Sequence, residues 1–128
     1  MKKVLITGAN SFVGTSIEKW LMKTPEEFQV DTVDTMNGVW KTTDFTKYDA
    51  VFHVAGIAHV DPKPEMKSLY YRVNTDLTVE IAIWAKEHGV KQFIFMHLSK
   101  TQFIKKSTKD TILMFHRFKI NIIIYFYI

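Results

Sequence analysis

Apolar and polar positions along this chain switch between two spacings. Val4 to Thr7 is a short apolar, β-favouring run that stops at Gly8, which predicts a buried parallel strand. Past the glycine, Val13, Ile17 and Leu21 recur at helical spacing with Trp20 beside them, giving one apolar face to a helix that starts near Ser11 or Phe12. Pro25 disfavours helix in Thr24 and ends it. Strand character returns from Phe28 to Val33 and stops at Asp34, before the turn-like T-M-N-G; Val39 to Lys41 reads as a short third strand. Ala50 to Val54 is a further apolar run closed by Ala55-Gly56. After a looser segment with Pro62 and Pro64 comes a long helix whose stripe is Val73, Leu77, Ile81 and Trp84 or Ala85, with Gly89 placed as its left-handed C′ residue. Val90 to Met96 is the next strand. Strands alternating with helices over short connections predict an α/β architecture around a parallel sheet.

From about Phe103 the composition shifts to Ile, Phe, Lys, Tyr and Asn, with no glycine or proline punctuation and no helical stripe. Those residues have A/T-rich codons, and the segment resembles translation of A/T-rich DNA in an unintended frame. The other reading is a hydrophobic last strand, because I-I-I-Y-F-Y-I has high β propensity. The expected organisation is therefore an α/β unit over 1–100 and an atypical tail over 101–128.

Composition narrows the classes. The 128 residues suit one domain that buries roughly two thirds of its unfolded surface. There is no cysteine, hence no disulfide frame and no Cys-based zinc site, and M-K-K-V-L-I-T-G lacks the features of a signal peptide; a cytoplasmic protein is expected. The longest apolar candidate, Ile120 to Ile128, falls short of the ~18 residues of a membrane span and contains Asn121. The net charge is +4, but only Lys105, Lys106 and Lys109 cluster, so neither a basic face nor a recognised module points to nucleic acid. Among the five histidines, His53, His59, His88, His97 and His116, no pair has the i, i+4 spacing of a helix-borne metal site.

The chemistry is concentrated at K-V-L-I-T-G-A-N-S-F-V-G. Gly8 permits a turn that side chains obstruct, Gly14 lets the helix approach the sheet, and the loop between them can present amides to an anion at the positive end of the helix dipole. It is not a P-loop, since no Gly-Lys-Ser/Thr follows. A glycine pair alone fits an ordinary tight turn equally well. Context separates the two readings, because Asp34 ends the second strand twenty residues after Gly14, the spacing of a carboxylate that binds ribose hydroxyls in a dinucleotide site. That carboxylate also favours NAD over NADP: facing a 2′-phosphate ~4 Å away, it is repelled by about 4 kcal/mol at an effective dielectric of ~20. Asp31 competes for the role but sits inside the strand.

T-G-A-N-S-F-V-G resembles the T-G-A-x-G-F-[IV]-G fingerprint of the extended short-chain dehydrogenases/reductases, specifically the NAD-dependent epimerase/dehydratase family that acts on nucleotide sugars. Asp44-Phe45, Y-D-A-V-F-H-V-A-G and V-N-T-D-L-T-V-E-I-A-I-W-A-K-E-H-G-V-K-Q-F-I-F-M continue the resemblance in register over residues 2 to 96. It implies a Rossmann-like parallel sheet with helices on both faces. It also implies that Gly8, Asn10, Ser11, Phe12, Val13 and Gly14 surround the diphosphate of NAD, Asp34 the ribose, and Asp44 with Phe45 the adenine. Ala55, Gly56 and Ala58 then line the nicotinamide-side ribose, and Asn74 supports the strand ends.

Two departures from the family pattern matter. Ser11 replaces the middle glycine: its Cβ crowds the diphosphate, or its hydroxyl donates a hydrogen bond or caps the helix, so weakened rather than abolished binding is expected. After Met96 the family continues into a Ser-Ser or Ser-Thr pair and a Tyr-x-x-x-Lys helix, whose tyrosine is the general acid/base. Here the text is H-L-S-K-T, and Tyr48, Tyr70 and Tyr71 have Phe52, Asn74 and Thr75 four residues on. No catalytic residue is assigned; Ser99 and Thr101 are at most displaced relics of the hydroxyl position.

The reading is the NAD-binding part of a nucleotide-sugar epimerase or dehydratase, UDP-hexose epimerase-like and catalytically incompetent as this fragment. A nucleotide sugar is the partner of the full-length relative. The alternatives are a non-catalytic NAD(P)-binding sensor or interaction module, or a non-functional product. Loss of the family's sixth strand exposes a sheet edge, at which I-I-I-Y-F-Y-I pairs within the chain or with another copy, as a homo-oligomer or an aggregate.

Overall fold

Lys2–Thr7 forms β1, and Val4, Leu5, Ile6 and Thr7 in it are all buried. A strand covered on both faces needs a continuous apolar run, which explains why this one does not alternate. In a computed structural model, which describes residues 1–54, 64–98 and 120–126, β1 lies between two parallel neighbours. These are β2, Phe28–Val33, on one side and β3, Ala50–His53, on the other. β4, Gln92–Leu98, runs parallel to β3, and β5, Ile120–Phe126, runs antiparallel to β4. The order β2-β1-β3-β4-β5 reverses direction between β1 and β3, so a crevice opens at their carboxyl ends, the place where open α/β sheets bind ligands.

The helices cover both faces, as expected. α1, Phe12–Leu21, lays Ile17 and Leu21 on Val4, Ile6 and Ala50. On the opposite face α3, Leu77–Glu87, places Ile81 and Ala85 against Leu5, Val33, Val51 and Phe93. α2, Lys67–Tyr71, leads into α3 through a π-helical turn at Arg72–Asp76 that the apolar stripe does not reveal. A Schellman cap ends α3. Gly89, at φ +75°, donates to the Lys86 carbonyl at 3.1 Å, and Val90 donates to Ala85 at 3.0 Å. Val90 therefore belongs to the cap, and β4 begins two residues later than the sequence predicts.

The expected strand at Val39 to Lys41 is corrected. Met36–Thr42 is 3-10 helical with Asn37 and Gly38 at positive φ, and it drives Trp40 into the core beside Phe45 and Trp84, at ring-centroid distances of 6.3 and 5.8 Å. Burying a large apolar side chain is worth roughly 2–3 kcal/mol, whereas β propensity spans about 1 kcal/mol. The indole therefore decides the local conformation. In the tail, the β propensity of I-N-I-I-I-Y-F is expressed as β5, which covers the edge of β4 from within the same chain. Among the described residues no helix is long and apolar enough to cross a membrane.

Candidate functional site

Gly8 follows β1 with φ 107°, and Asn10 adopts φ 66°, a left-handed conformation that asparagine tolerates better than most side chains. The amides of Gly8 and Ala9 both donate to the Val33 carbonyl, at 2.9 and 3.2 Å, tying the loop to the end of β2. Asp34 is the next residue along, so the loop and the acid share one anchor. Ser11 donates to the Gly8 carbonyl at 3.3 Å, and its hydroxyl accepts from the Gly14 amide at 2.9 Å. Its φ of −73° and ψ of 152° are ordinary extended values, so nothing in the backbone calls for glycine there. Ser11 is thus the N-cap of α1.

These bonds consume four loop amides and leave three. Among the described residues, no protein acceptor takes the backbone N–H of Asn10, Phe12 or Val13. The last two open α1, where the helix dipole adds partial positive charge, and no acidic side chain occupies the first turn. Gly14 keeps the approach close: a Cβ there would meet the Gly8 carbonyl oxygen at 2.7 Å, Ser11 Oγ at 2.8 Å and Val54 Cγ2 at 3.2 Å. Loop, helix and the end of β3 thus converge on a position that only hydrogen fits. The arrangement fits the pyrophosphate of a dinucleotide, which needs amide donors and close backbone approach rather than side chains.

The acids differ in how committed they are. Asp34 is exposed, and its Oδ1 accepts from the Met36 amide at 2.8 Å. Asp44 caps the 3-10 turn Phe45–Lys47 through Oδ1, which accepts from the Thr46 amide and hydroxyl, while Lys47 Nζ lies 3.5 Å from Oδ2. The Thr46 hydroxyl above all, helped by the Thr46 amide and Lys47, holds the Asp44 carboxyl below its ordinary range. Phe45 requires a correction: it is wholly buried, packed on Trp40 and His88, so it supports the turn beneath Asp44 and presents no surface to an adenine. Asp31 accepts from Tyr48 Oη at 2.9 Å. Burial and then that bond push the Tyr48 phenol up to about 12, which keeps it protonated and leaves it no general-base role near neutrality. Ala55, Gly56 and Ala58 lie outside the described residues, as do His59, Ser99 and Thr101.

Asn74 sits in the π-helical turn, and its carbonyl accepts from the Thr78 hydroxyl at 3.2 Å. Thr78 in turn meets His53 Nε2 at 3.0 Å, and His53 Nδ1 meets the Thr7 hydroxyl at 2.6 Å. Sequence reasoning misses this chain of bonds, although a histidine inside an apolar strand signals one, because a buried imidazole must find partners.

The sequence profile of the NAD dependent epimerase/dehydratase family matches residues 4–106. A UDP-glucose 4-epimerase of Vibrio cholerae is 34% identical over 112 residues, an alignment that takes in 74% of this chain and 34% of the relative. The fold is also that of dTDP-4-dehydrorhamnose reductase from Bacillus anthracis, solved in complex with NADP. That match has 24% identity and a TM-score of 0.56, over 71% of this chain and 34% of the other. A short-chain dehydrogenase/reductase superfamily protein from Agrobacterium tumefaciens with bound NAD matches at 19% identity and a TM-score of 0.55, over 73% of this chain and 31% of the other. The chain spans about a third of the length of each of these three proteins.

Proposed function

The chain belongs to the NAD dependent epimerase/dehydratase family, and on that premise we propose that residues 1–100 bind NAD across the carboxyl ends of β1, β2 and β3. The observation that carries the proposal is the set of amides at Asn10, Phe12 and Val13, which have no acceptor among the described residues and open α1 beside a glycine where a Cβ would meet backbone. In this reading those amides hold the pyrophosphate. Asp34 turns its second oxygen to the adenosine ribose, and Asp44 stands at the adenine rim. Ala55, Gly56 and Ala58 line the nicotinamide side, and Asn74 braces the strand ends. The acid at Asp34 favours NAD over NADP for the electrostatic reason already given.

When bound, the dinucleotide supplies a hydride acceptor for a hydroxyl of a nucleotide sugar, the substrate class proposed for the longer relative's activity. The residues of this chain bind and orient it. They include no Tyr-x-x-x-Lys pair, so the 128 residues hold the cofactor without turning over a sugar. That same absence favours the second reading, a non-catalytic NAD(P)-binding sensor or interaction module. A cytoplasmic setting belongs to both readings.

Titration calorimetry of the purified chain with NAD and with NADP tests the assignment. NAD is expected to bind more tightly than NADP, and Asp34→Ala is expected to weaken NAD while leaving NADP nearly unchanged. Heat-silent titrations with both, or an Asp34→Ala protein that discriminates as the parent does, would overturn it. A sugar nucleotide that binds only when NAD is present would favour the enzyme-derived reading over the sensor.

A further inference from the structure

A buried line of polar atoms connects the glycine loop to the helix on the other face of the sheet. Thr7 and His53 are fully buried and Thr78 nearly so. The contacts run Thr7 Oγ1 to His53 Nδ1 at 2.6 Å, His53 Nε2 to Thr78 Oγ1 at 3.0 Å, and Thr78 Oγ1 to the Asn74 carbonyl at 3.2 Å. The protons can be assigned by counting. Thr78 has one hydroxyl hydrogen and gives it to Asn74, so toward His53 it accepts, and Nε2 carries the imidazole proton. Nδ1 is then bare and accepts from Thr7. Every group is used once, with an uncharged ring that burial keeps neutral by lowering its pKa to about 4. Phe93 and Phe95 lie 5.9 and 5.6 Å from the imidazole centroid at small interplanar angles, which fixes the ring and excludes water.

Apolar residues at Thr7, His53 and Thr78 together would avoid the cost of desolvating three polar groups. What the polar line adds is geometry: a satisfied network admits one arrangement of its ends. Here the ends matter, since Thr7 directly precedes Gly8 and Asn74 lies in the π-helical turn. We propose that His53 is a positioning residue, which through Thr7 and Thr78 sets the glycine loop in the geometry that presents its open amides to a dinucleotide. The inference rests on the cofactor reading for its consequence, but not for the relay itself.

The test uses the full chain with Thr7→Val and Thr78→Val, which keep shape and remove hydroxyls, and with Thr7→Ser and Thr78→Ser, which restore them. His53→Gln keeps a donor near the Nε2 position and loses the acceptor for Thr7. Ring-nitrogen NMR of the parent is expected to show the proton on Nε2. Hydrogen exchange without ligand is expected to quicken about tenfold at Gly8, Ala9, Ser11 and Gly14 in both valine variants and in His53→Gln, and to return toward the parent in the serine variants. For NAD, each valine variant is expected to bind about tenfold more weakly, and the double variant little more weakly than either single. Loop exchange that stays at the parent rate, a protonated Nδ1, or fully additive losses would overturn the relay. If the parent fails to bind NAD, the cofactor reading falls while the exchange data still decide the relay. If the valine variants do not fold, His53→Gln and the serine pair carry the same comparison, and loss of fold in all of these would reduce the line to a purely structural one.

Discussion

Replacing Gly14 by alanine asks how tightly the loop, α1 and the end of β3 are fitted. The new Cβ would lie 2.7 Å from the Gly8 carbonyl oxygen and 2.8 Å from Ser11 Oγ. The Gly8 carbonyl is backbone, held by the Ser11 amide at 3.3 Å and by its own residue's amide on Val33 at 2.9 Å, so it does not retreat cheaply. Overpacking of this kind costs about 1–3 kcal/mol. Moving Ser11 Oγ off the Gly14 amide loses a helix cap of about 1 kcal/mol. Alanine recovers about 1 kcal/mol of helix propensity over glycine. The losses win, by about 1–3 kcal/mol, which lowers the thermal midpoint by roughly 4–12 °C for a domain of this size. Calorimetric melting of the parent and the variant measures it. Gly89→Ala is the control, because Gly89 has φ +75° with nothing within 4 Å of its Cβ position. It bears only the left-handed penalty of about 1–2 kcal/mol, part of which Gly89→Asn recovers. A Gly14→Ala protein that melts at or above the parent would refute the fitted-loop argument.

Two further outcomes follow from the same site. Ser11→Ala is expected to cost about 1 kcal/mol in urea unfolding and Ser11→Gly only a few tenths, with Ser11→Gly binding NAD more tightly by calorimetry; equal stability of all three proteins would remove the cap. His53 ties stability to pH. Its folded value of about 4 lies below the ordinary 6.5, so between these the unfolded chain takes up a proton that the folded one refuses. Stability is therefore complete above pH 6.5 and falls as the pH drops toward 4, by on the order of 3 kcal/mol; urea midpoints across that window should slope downward, and His53→Gln should flatten them.

Much of the fold is legible where one force acts alone. Val4 to Thr7 and Phe28 to Val33 are strands because β-favouring runs are cut off by Gly8 and Asp34, and α1 begins where Ser11 can cap it. Reading fails where tertiary packing overrides local preference. Val39 and Trp40 favour a strand, yet the pocket formed by Phe45 and Trp84 rewards the indole more, and Asn37 and Gly38 supply the left-handed residues that let the chain turn inward. The adenine-side expectation for Phe45 fails for the same reason, since no spacing rule distinguishes a ring that faces a ligand from one that faces Trp40. The π-helical turn is invisible because a period of 3.6 still connects Leu77 to Ile81 and Ala85 beyond it. At the site, glycine spacing predicts the turn, but which amides remain open depends on Val33 and Ser11 as acceptors, and that is a matter of three-dimensional registry.

The direction of β5 has a practical consequence. Phe126 stands beside Gln92 and Ile120 beside Leu98, so the chain leaves the sheet at the end where the parallel strands start. Lys2 opens β1 at that same end. A tether or fluorophore joined at Phe126, or at Lys2, sits at the end of the sheet roughly 20 Å away from Gly8 and Asp34, the length of a seven-residue strand. Immobilising the molecule through Lys2 or Phe126 therefore orients the loop cluster outward, toward whatever is supplied in solution.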